Sequence, residues 1–447
     1  MKIVIAGAGE VGFHLAQLLA YEQQDITLID SNQTVLDNAS TRLDVRTING
    51  DSSIRSILIK AGADKADLVL SLTTSEKTNL VTALFAKNMG AKKVIARVHN
   101  QEYLQPEAIA AFNAMGIDSL ISPNQLAAKE ISRLLDKGSV TDYFEFEDGL
   151  VSLMGLTINL NDALVSNRTV DEIEKLTPDI HFRPIAILRG NKTIIPDANT
   201  IIRKGDHVYF IIRKNEISEI LRILGKKEKP IRSVMINGGT DLGYDTALLL
   251  QRDYSVTLIE KDEDRCKWLA KNLKDVLVVN CQNYKIDQLR EEGLSEMDAF
   301  VSVTDDTQVN ILTSLLAGNI GVYKTVALVD SIDYTRISQN IGVDTIINKK
   351  LIAANNIFRH VRKGKIVAIT GLHGLEGEII EFVVYKDNRL TSKSLKDVKF
   401  PKGTVIGTIV REGKVLFPDP EMTLKKDDKV IIFAMQDDIS KLEKLFR

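Results

Sequence analysis

From Lys2 to about Ile121, short runs rich in β-branched residues alternate with longer stretches whose apolar positions recur at helical spacing. The runs Ile3–Ala6, Ile26–Ile29, Val45–Ile48, Leu68–Leu72, Val94–Val98 and Ser119–Ile121 have the near-continuous apolar character of strands buried on both faces. Between them, segments such as Gly12–Ala20 and Thr78–Met89 read as amphipathic helices. Strands and helices in strict alternation predict a doubly wound parallel sheet. A further helix is predicted at about Asn124–Leu135.

The pattern then changes. From about Thr141 to Phe210 it is strand-like and broken by turn residues, in LVSLMGLTI, RPIAILRGNKTIIPD and KGDHVYFIIR. Gly190-Asn191 between two apolar runs predicts a hairpin. A helix at Glu216–Leu224 closes this small β-rich region, and the charged stretch 225–230 (GKKEKP) reads as a linker.

The same plan then returns. KIVIAGAGEVG (Lys2 to Gly12) recurs as SVMINGGTDLG (Ser233 to Gly243), and the strand ending in Asp30 recurs as one ending in Glu260. SLTTSEKTNLVTAL recurs as SVTDDTQVNILTSL, with Asn79 and Asn310 in register, and Tyr103 matches Tyr334. The helix Leu351–Val361 matches the one at Asn124–Leu135. The second hairpin sets Gly413 against Gly190, Pro418-Asp419 against Pro196-Asp197, and Asp428 against Asp206. A repeat fixes the unit of folding. The expected architecture is α/β: two doubly wound Rossmann-like parallel-sheet domains, each followed by a small β-rich α+β domain. The expected boundaries are 1–137, 138–225, 231–361 and 362–447.

Gly7-Ala8-Gly9-Glu10-Val11-Gly12 follows a strand and opens a helix, the context a dinucleotide fingerprint requires. Gly7 permits the turn, Gly9 lets backbone approach a pyrophosphate, and Gly12 allows close packing; the helix start supplies amides and a positive dipole. Asp30 ends the second strand and can accept both ribose hydroxyls. Ser31 and Asn32 follow it instead of an arginine, which disfavours NADP. Asp51 could meet adenine or ribose, or cap a helix together with Ser52. Thr73 and Thr74 could bond a ligand or cap the next helix. Arg97, ending a buried run, needs a phosphate or a carboxylate as partner. Glu10 reads as a solvated acid in the first helical turn.

Composition narrows the function. A net charge of −2 argues against a nucleic-acid partner. Two cysteines, Cys266 and Cys281, are too few for a disulfide framework or a zinc site. The six histidines form no metal-ligand spacing, and no catalytic motif accompanies them, so neither a metal nor a catalytic residue is expected. With no leader pattern and no apolar run of about 18 residues, a cytoplasmic protein that meets a membrane only through a partner is expected.

GAGEVG, Asp30, Asn49-Gly50-Asp51, SLTTSEKTN, Ala96-Arg97-Val98 and the tandem plan resemble the Trk potassium-uptake regulatory subunit (TrkA-like), whose halves are RCK domains. The resemblance spans essentially the whole chain. It implies a non-enzymatic regulator that binds NAD or NADH, with ATP and ADP as competing ligands. It also implies a homo-oligomer, a tetrameric ring, docked on the inner face of the membrane against a potassium-translocating (TrkH-like) subunit. Gly7 to Val11, Asp30, Thr73, Thr74 and Arg97 would inherit the nucleotide contacts. The two helices at Asn124–Leu135 and Leu351–Val361 would inherit the crossover between lobes.

The second half keeps Gly238, Gly243 and Glu260 but sets Thr240 for Gly9, Gln282 for Asp51 and Leu328 for Arg97. A β-branched residue at the pyrophosphate approach removes space, so weaker binding is expected there. Two alternatives remain: an NAD-dependent oxidoreductase, and a nucleotide sensor serving a different ion channel or antiporter.

Overall fold

The computed structural model describes residues 1–21, 24–136, 138, 140–158, 165–176, 181–190, 192–224, 229–282, 285–330, 343–361, 366–371, 375–385 and 390–446. Tyr334, Asn191 and most of the 225–230 linker lie outside the described residues.

β1 (Lys2–Ala6), β2 (Asp25–Asp30), β3 (Arg46–Asn49), β4 (Leu68–Ser71), β5 (Lys93–Arg97) and β6 (Ser119–Ile121) form one parallel sheet in the order β3-β2-β1-β4-β5-β6. The order reverses between β1 and β4, so the carboxyl ends of these two strands open a crevice, the ligand position of doubly wound sheets. Ile3, Val4, Ile5 and Ala6 are buried, as the continuous apolar run requires of a strand covered on both faces.

The first small sheet is antiparallel. It uses β7 (Asp142–Phe146), β8 (Val151–Thr157), β10 (Phe182–Arg189), β11 (Lys192–Ile194) and β13 (His207–Arg213), in the order β11-β10-β13-β8-β7. The short strands β9 (Arg168–Thr169) and β12 (Ile201–Ile202) pair beside it. The second parallel sheet repeats the first with β14 (Ser233–Asn237), β15 (Ser255–Glu260), β16 (Val276–Asn280), β17 (Ala299–Ser302), β18 (Lys324–Leu328) and β19 (Thr345–Ile347), ordered β16-β15-β14-β17-β18-β19. The second antiparallel sheet runs β20-β21-β24-β22-β23, from β20 (Ile366–Gly371), β21 (Gly377–Val383), β22 (Thr404–Arg411), β23 (Lys414–Leu416) and β24 (Lys429–Met435).

The hairpin register corrects one expected equivalence. Arg189 pairs with Lys192 and Arg411 with Lys414. Glu412, not Gly413, therefore stands in the place of Gly190. Both loop residues of the second hairpin have positive φ, 50° at Glu412 and 73° at Gly413, the signature of a type I′ turn.

The chain divides into two compact units, and the division does not follow the repeat. Residues 1–127 and 349–361 form one; residues 128–348 and 362–447 form the other. In the first unit the crossover helix of the second half, Lys349–Val361, packs along the first helix, Glu10–Tyr21. Its Ala353, Ala354, Ile357 and Phe358 are buried. In the second unit Asp136, ending the first crossover helix (Pro123–Asp136), accepts a hydrogen bond from Tyr254 at 2.5 Å. The two antiparallel sheets of the second unit share one apolar core, with Leu153, Ile185, Tyr209 and Ile211 clustered with Ile379, Val405, Ile431 and Phe433.

Candidate functional site

The first glycine turn is shaped by close backbone approach. Gly7 has φ +102°, and a Cβ there would lie 2.8 Å from the Thr73 amide nitrogen. A Cβ on Gly12 would lie 1.8 Å from the Gly7 carbonyl oxygen, so the turn and the helix start touch without room for a side chain. Gly9 differs: a Cβ there would meet nothing within 4 Å. Packing explains Gly7 and Gly12, whereas the space in front of the turn is what Gly9 preserves. The Gly9 carbonyl accepts from Phe13 N at 2.8 Å, so the helix begins at this point and points its first amides into that space.

Asp30 ends β2 beside the turn. Its Oδ2 accepts from Ala8 N at 2.8 Å and its Oδ1 from Asn32 N at 2.9 Å. The carboxylate therefore holds the turn in shape while standing at the crevice. Asn49 Nδ2 donates to the Ser31 carbonyl at 3.1 Å, tying β3 to the same strand end. Asp51 turns to Ser53, accepting from its amide and its hydroxyl at 2.8 Å each; Ser52 is buried and bonds Thr82.

On the β4–β5 side the organising residue is Asn79, which is fully buried. Its Oδ1 accepts from Thr73 N at 2.8 Å and from Thr73 Oγ1 at 2.7 Å, and its Nδ2 donates to the carbonyls of Thr73 and Arg97 at 3.0 and 2.9 Å. One amide side chain thus fixes both strand ends. Thr74 is exposed, and Ser75 caps the following helix by accepting from Thr78 N. Glu76 accepts from the amides of His99 and Asn100; burial raises its pKa, but the two amides outweigh that and hold the carboxyl below its usual value.

Arg97 ends β5 in the crevice. Its Nε is buried with no hydrogen-bond partner, and it makes no ion pair among the described residues. Partial burial lowers its pKa. A cation with a buried, unpartnered Nε at a strand end suits an anion. Glu10 is met from the other half of the sequence, its Oε2 lying 2.6 Å from Lys350 Nζ.

The second crevice has the same frame and a different content. Gly238 has φ +113°, and a Cβ on Gly243 would lie 2.0 Å from the Gly238 carbonyl. Glu260 accepts from Gly239 N at 2.7 Å and Asp262 N at 2.8 Å, matching the two bonds of Asp30. Asn310 repeats Asn79, bonding Thr304 and the Leu328 carbonyl. Thr240, however, fills the place of Gly9. Its hydroxyl donates to the Val303 carbonyl at 2.8 Å and accepts from Gly243 N at 3.2 Å. Arg265 then closes over the turn, with Nε on the Gly239 carbonyl at 2.7 Å, Nη2 on Asp241 at 3.0 Å, and its guanidinium 4.5 Å from the Trp268 ring centre. Leu328, where Arg97 stands in the first half, supplies no cation.

The TrkA-N domain model matches residues 3–123 and 234–349, and the TrkA-C domain model matches 153–225 and 379–447. The chain belongs to the TrkA family. Among its relatives are the Trk system potassium uptake protein TrkA of Halomonas elongata, 32% identical over 100% of this chain and 99% of that one, and that of Azorhizobium caulinodans, 30% identical with the same coverage. A TrkA homolog of Archaeoglobus fulgidus is 33% identical over the full length of both chains. The fold matches the GsuK RCK domain (TM-score 0.59, 14% identity, 100% of this chain and 94% of that one) and the GsuK channel bound to NAD (0.60, 14%, 100% and 78%).

The two TrkA-N regions thus carry the same scaffold, one open and one filled. Three residues with a place in this geometry had no role in the sequence reading. Asn79 was visible as a repeated position, though nothing local gave it a task. Arg265 lies within the helix after β15, and Lys350 comes from the opposite half; neither has a spacing signal relative to the turn it meets. Among the described residues no group of acids, histidines and cysteines could hold a metal ion, and no helix is long and apolar enough to cross a membrane.

Proposed function

We propose that this chain is the nucleotide-sensing regulatory subunit of a potassium-uptake system. It binds NAD(H), or ATP and ADP in competition, at the first glycine turn, and as a homo-oligomeric ring on the cytoplasmic face it gates a potassium-translocating membrane subunit. Full-length relatives named as Trk potassium-uptake proteins support the transport role, and an NAD-bound channel of the same fold supports the ligand. The observations that carry the reading are Arg97, a part-buried cation at the end of β5 whose buried Nε has no hydrogen-bond partner, and the space that Gly9 leaves at the turn.

The residues present fit a dinucleotide. The amides of Glu10, Val11 and Gly12 and the guanidinium of Arg97 would hold phosphates, and Asp30 would take the ribose hydroxyls. Thr73 and Thr74 would contact it at the rim, and Asp51 would meet adenine or ribose. No residue is assigned a chemical step: the ligand acts as a signal, shifting two conformations by its difference in affinity for them. Gly238, Gly243 and Glu260 frame a second turn that keeps at most a weak mononucleotide site.

Calorimetry with NADH, ATP and adenosine tests this. The expected stoichiometry is about one nucleotide per chain. Arg97→Ala should weaken NADH and ATP by roughly 1.5–3 kcal/mol, the range of a hydrogen bond to a charged group, and leave adenosine nearly unchanged. Two equal dinucleotide sites per chain, or an equal loss for adenosine, would overturn the assignment. Nucleotide-dependent potassium flux in vesicles holding the membrane subunit tests the gating role.

A further inference from the structure

The two turns solve one charge problem in two ways. Each helix start carries an acid in its first turn, Glu10 in the first half and Asp241 in the second. Such an acid suits the helix dipole but opposes any phosphate held at the same amides. Asp241 is neutralised from within its own lobe, by Arg265 at 3.0 Å. Among the described residues Glu10 has no such ion pair on its own lobe. Its partner is Lys350, at 2.6 Å, on the helix that begins just after β19 of the second sheet and packs along the Glu10–Tyr21 helix within the first unit. The corresponding position of the first crossover helix is Asn124, which carries no charge.

We propose that Lys350 is a specificity-determining residue of the first nucleotide site, supplying to a bound polyphosphate a positive charge that originates in the other half of the chain. This rests on the nucleotide reading above. An ammonium bonded to the carboxylate of the residue that opens the helix lies within a Debye length, about 8 Å, of a phosphate held at that helix start. Its side chain is partly exposed and can turn from Glu10 toward the ligand. Three phosphates attract it more than two, and a nucleoside does not attract it. Lys350 therefore ranks ligands by phosphate charge. Because the residue belongs to the second half, a ligand that recruits it makes a contact that the first lobe alone cannot offer.

The test is calorimetry on the full-length protein carrying Lys350→Gln, Lys350→Arg, Glu10→Gln or the Lys350→Gln/Glu10→Gln pair, against adenosine, ADP, ATP and NADH at low and high salt. For Lys350→Gln, ATP affinity should fall on the order of tenfold, ADP and NADH less, and adenosine not at all. The loss should shrink at high salt, and Lys350→Arg should restore most of it. Glu10→Gln should strengthen ATP binding, and the double variant should return close to wild type. An equal change for adenosine and ATP, or no change for any ligand, overturns the proposal and leaves the contact as a packing ion pair. If the wild-type protein binds none of the four ligands, the nucleotide reading itself fails.

Discussion

Thr240 does two things that Gly9 cannot: its hydroxyl caps the helix at Gly243 N and anchors to the Val303 carbonyl. Neither Gly12 nor Gly243 separates the two sites, because a side chain at either would collide with the turn behind it. The discriminating position is Gly9, where the backbone tolerates a side chain and only the ligand space is lost. Gly9→Thr should raise stability by a few tenths of a kcal/mol through the added cap. The same substitution should abolish tight NADH binding. Thermal melting and calorimetry on one variant would show the two effects with opposite signs; undiminished NADH affinity would remove the role given to Gly9. At this scale the sequence placed Gly7, Asp30 and Arg97 at the ends of strands, and the structure has them there. Asp30 was legible only in part. Its bonds to Ala8 and Asn32 make it a brace for the turn, so Asp30→Ala would perturb local structure as well as any ribose contact.

The hairpin between β22 and β23 closes through Glu412 at φ 50°, a conformation that suits asparagine or glycine far better than glutamate. Glu412→Asn creates the Asn-Gly pair this turn prefers and should stabilise the protein by about 0.5–1 kcal/mol, read from denaturant unfolding. A loss of stability would mean that Glu412 is held by a contact outside the turn. Strands and helices of the first parallel sheet fell within a residue or two of their expected positions: Ile3–Ala6 became Lys2–Ala6, and Thr78–Met89 became Glu76–Met89. Continuous apolar runs and helical spacing are local signals, and they survive folding. The hairpin equivalence shifts by one because Gly190 and Gly413 occupy different positions of their turns, which only the strand pairing fixes. The packing of Lys349–Val361 on the first helix had no local signal at all, since the matching faces lie in opposite halves of the chain.

Between the second parallel sheet and the first small domain lies a buried lysine. Lys324 opens β18 and donates to the Val140 carbonyl at 2.6 Å. Burial lowers its pKa from 10.5 to about 8, against the opposing pull of Asp344 and Asp142. Between these values the unfolded chain keeps a proton that the folded chain has released. Stability therefore rises as pH climbs from about 8 to 10.5, and below 8 the full cost of burying the charge is present. A shift of that size corresponds to roughly 3 kcal/mol. Lys324→Met should be at least as stable as wild type near neutral pH. It should also lack the extra rise on going to about pH 10, as unfolding at the two pH values would reveal. An unchanged slope would place the charge in contact with water. Neither the lysine nor the apolar core shared by the two antiparallel sheets could be read from sequence, because what buries them is a neighbouring domain.

The exchanged helix also has a consequence in time. A ribosome completes residues 1–127 early, but residues 349–361 follow roughly 220 residues later, some tens of seconds at about 5–20 residues per second. Throughout that interval the nascent first lobe carries an uncovered flank beside its opening helix. A chain arrested after the first small domain should therefore be a client for chaperones and prone to self-association. Two half-chains made separately in one cell should find each other and regain a complete first lobe.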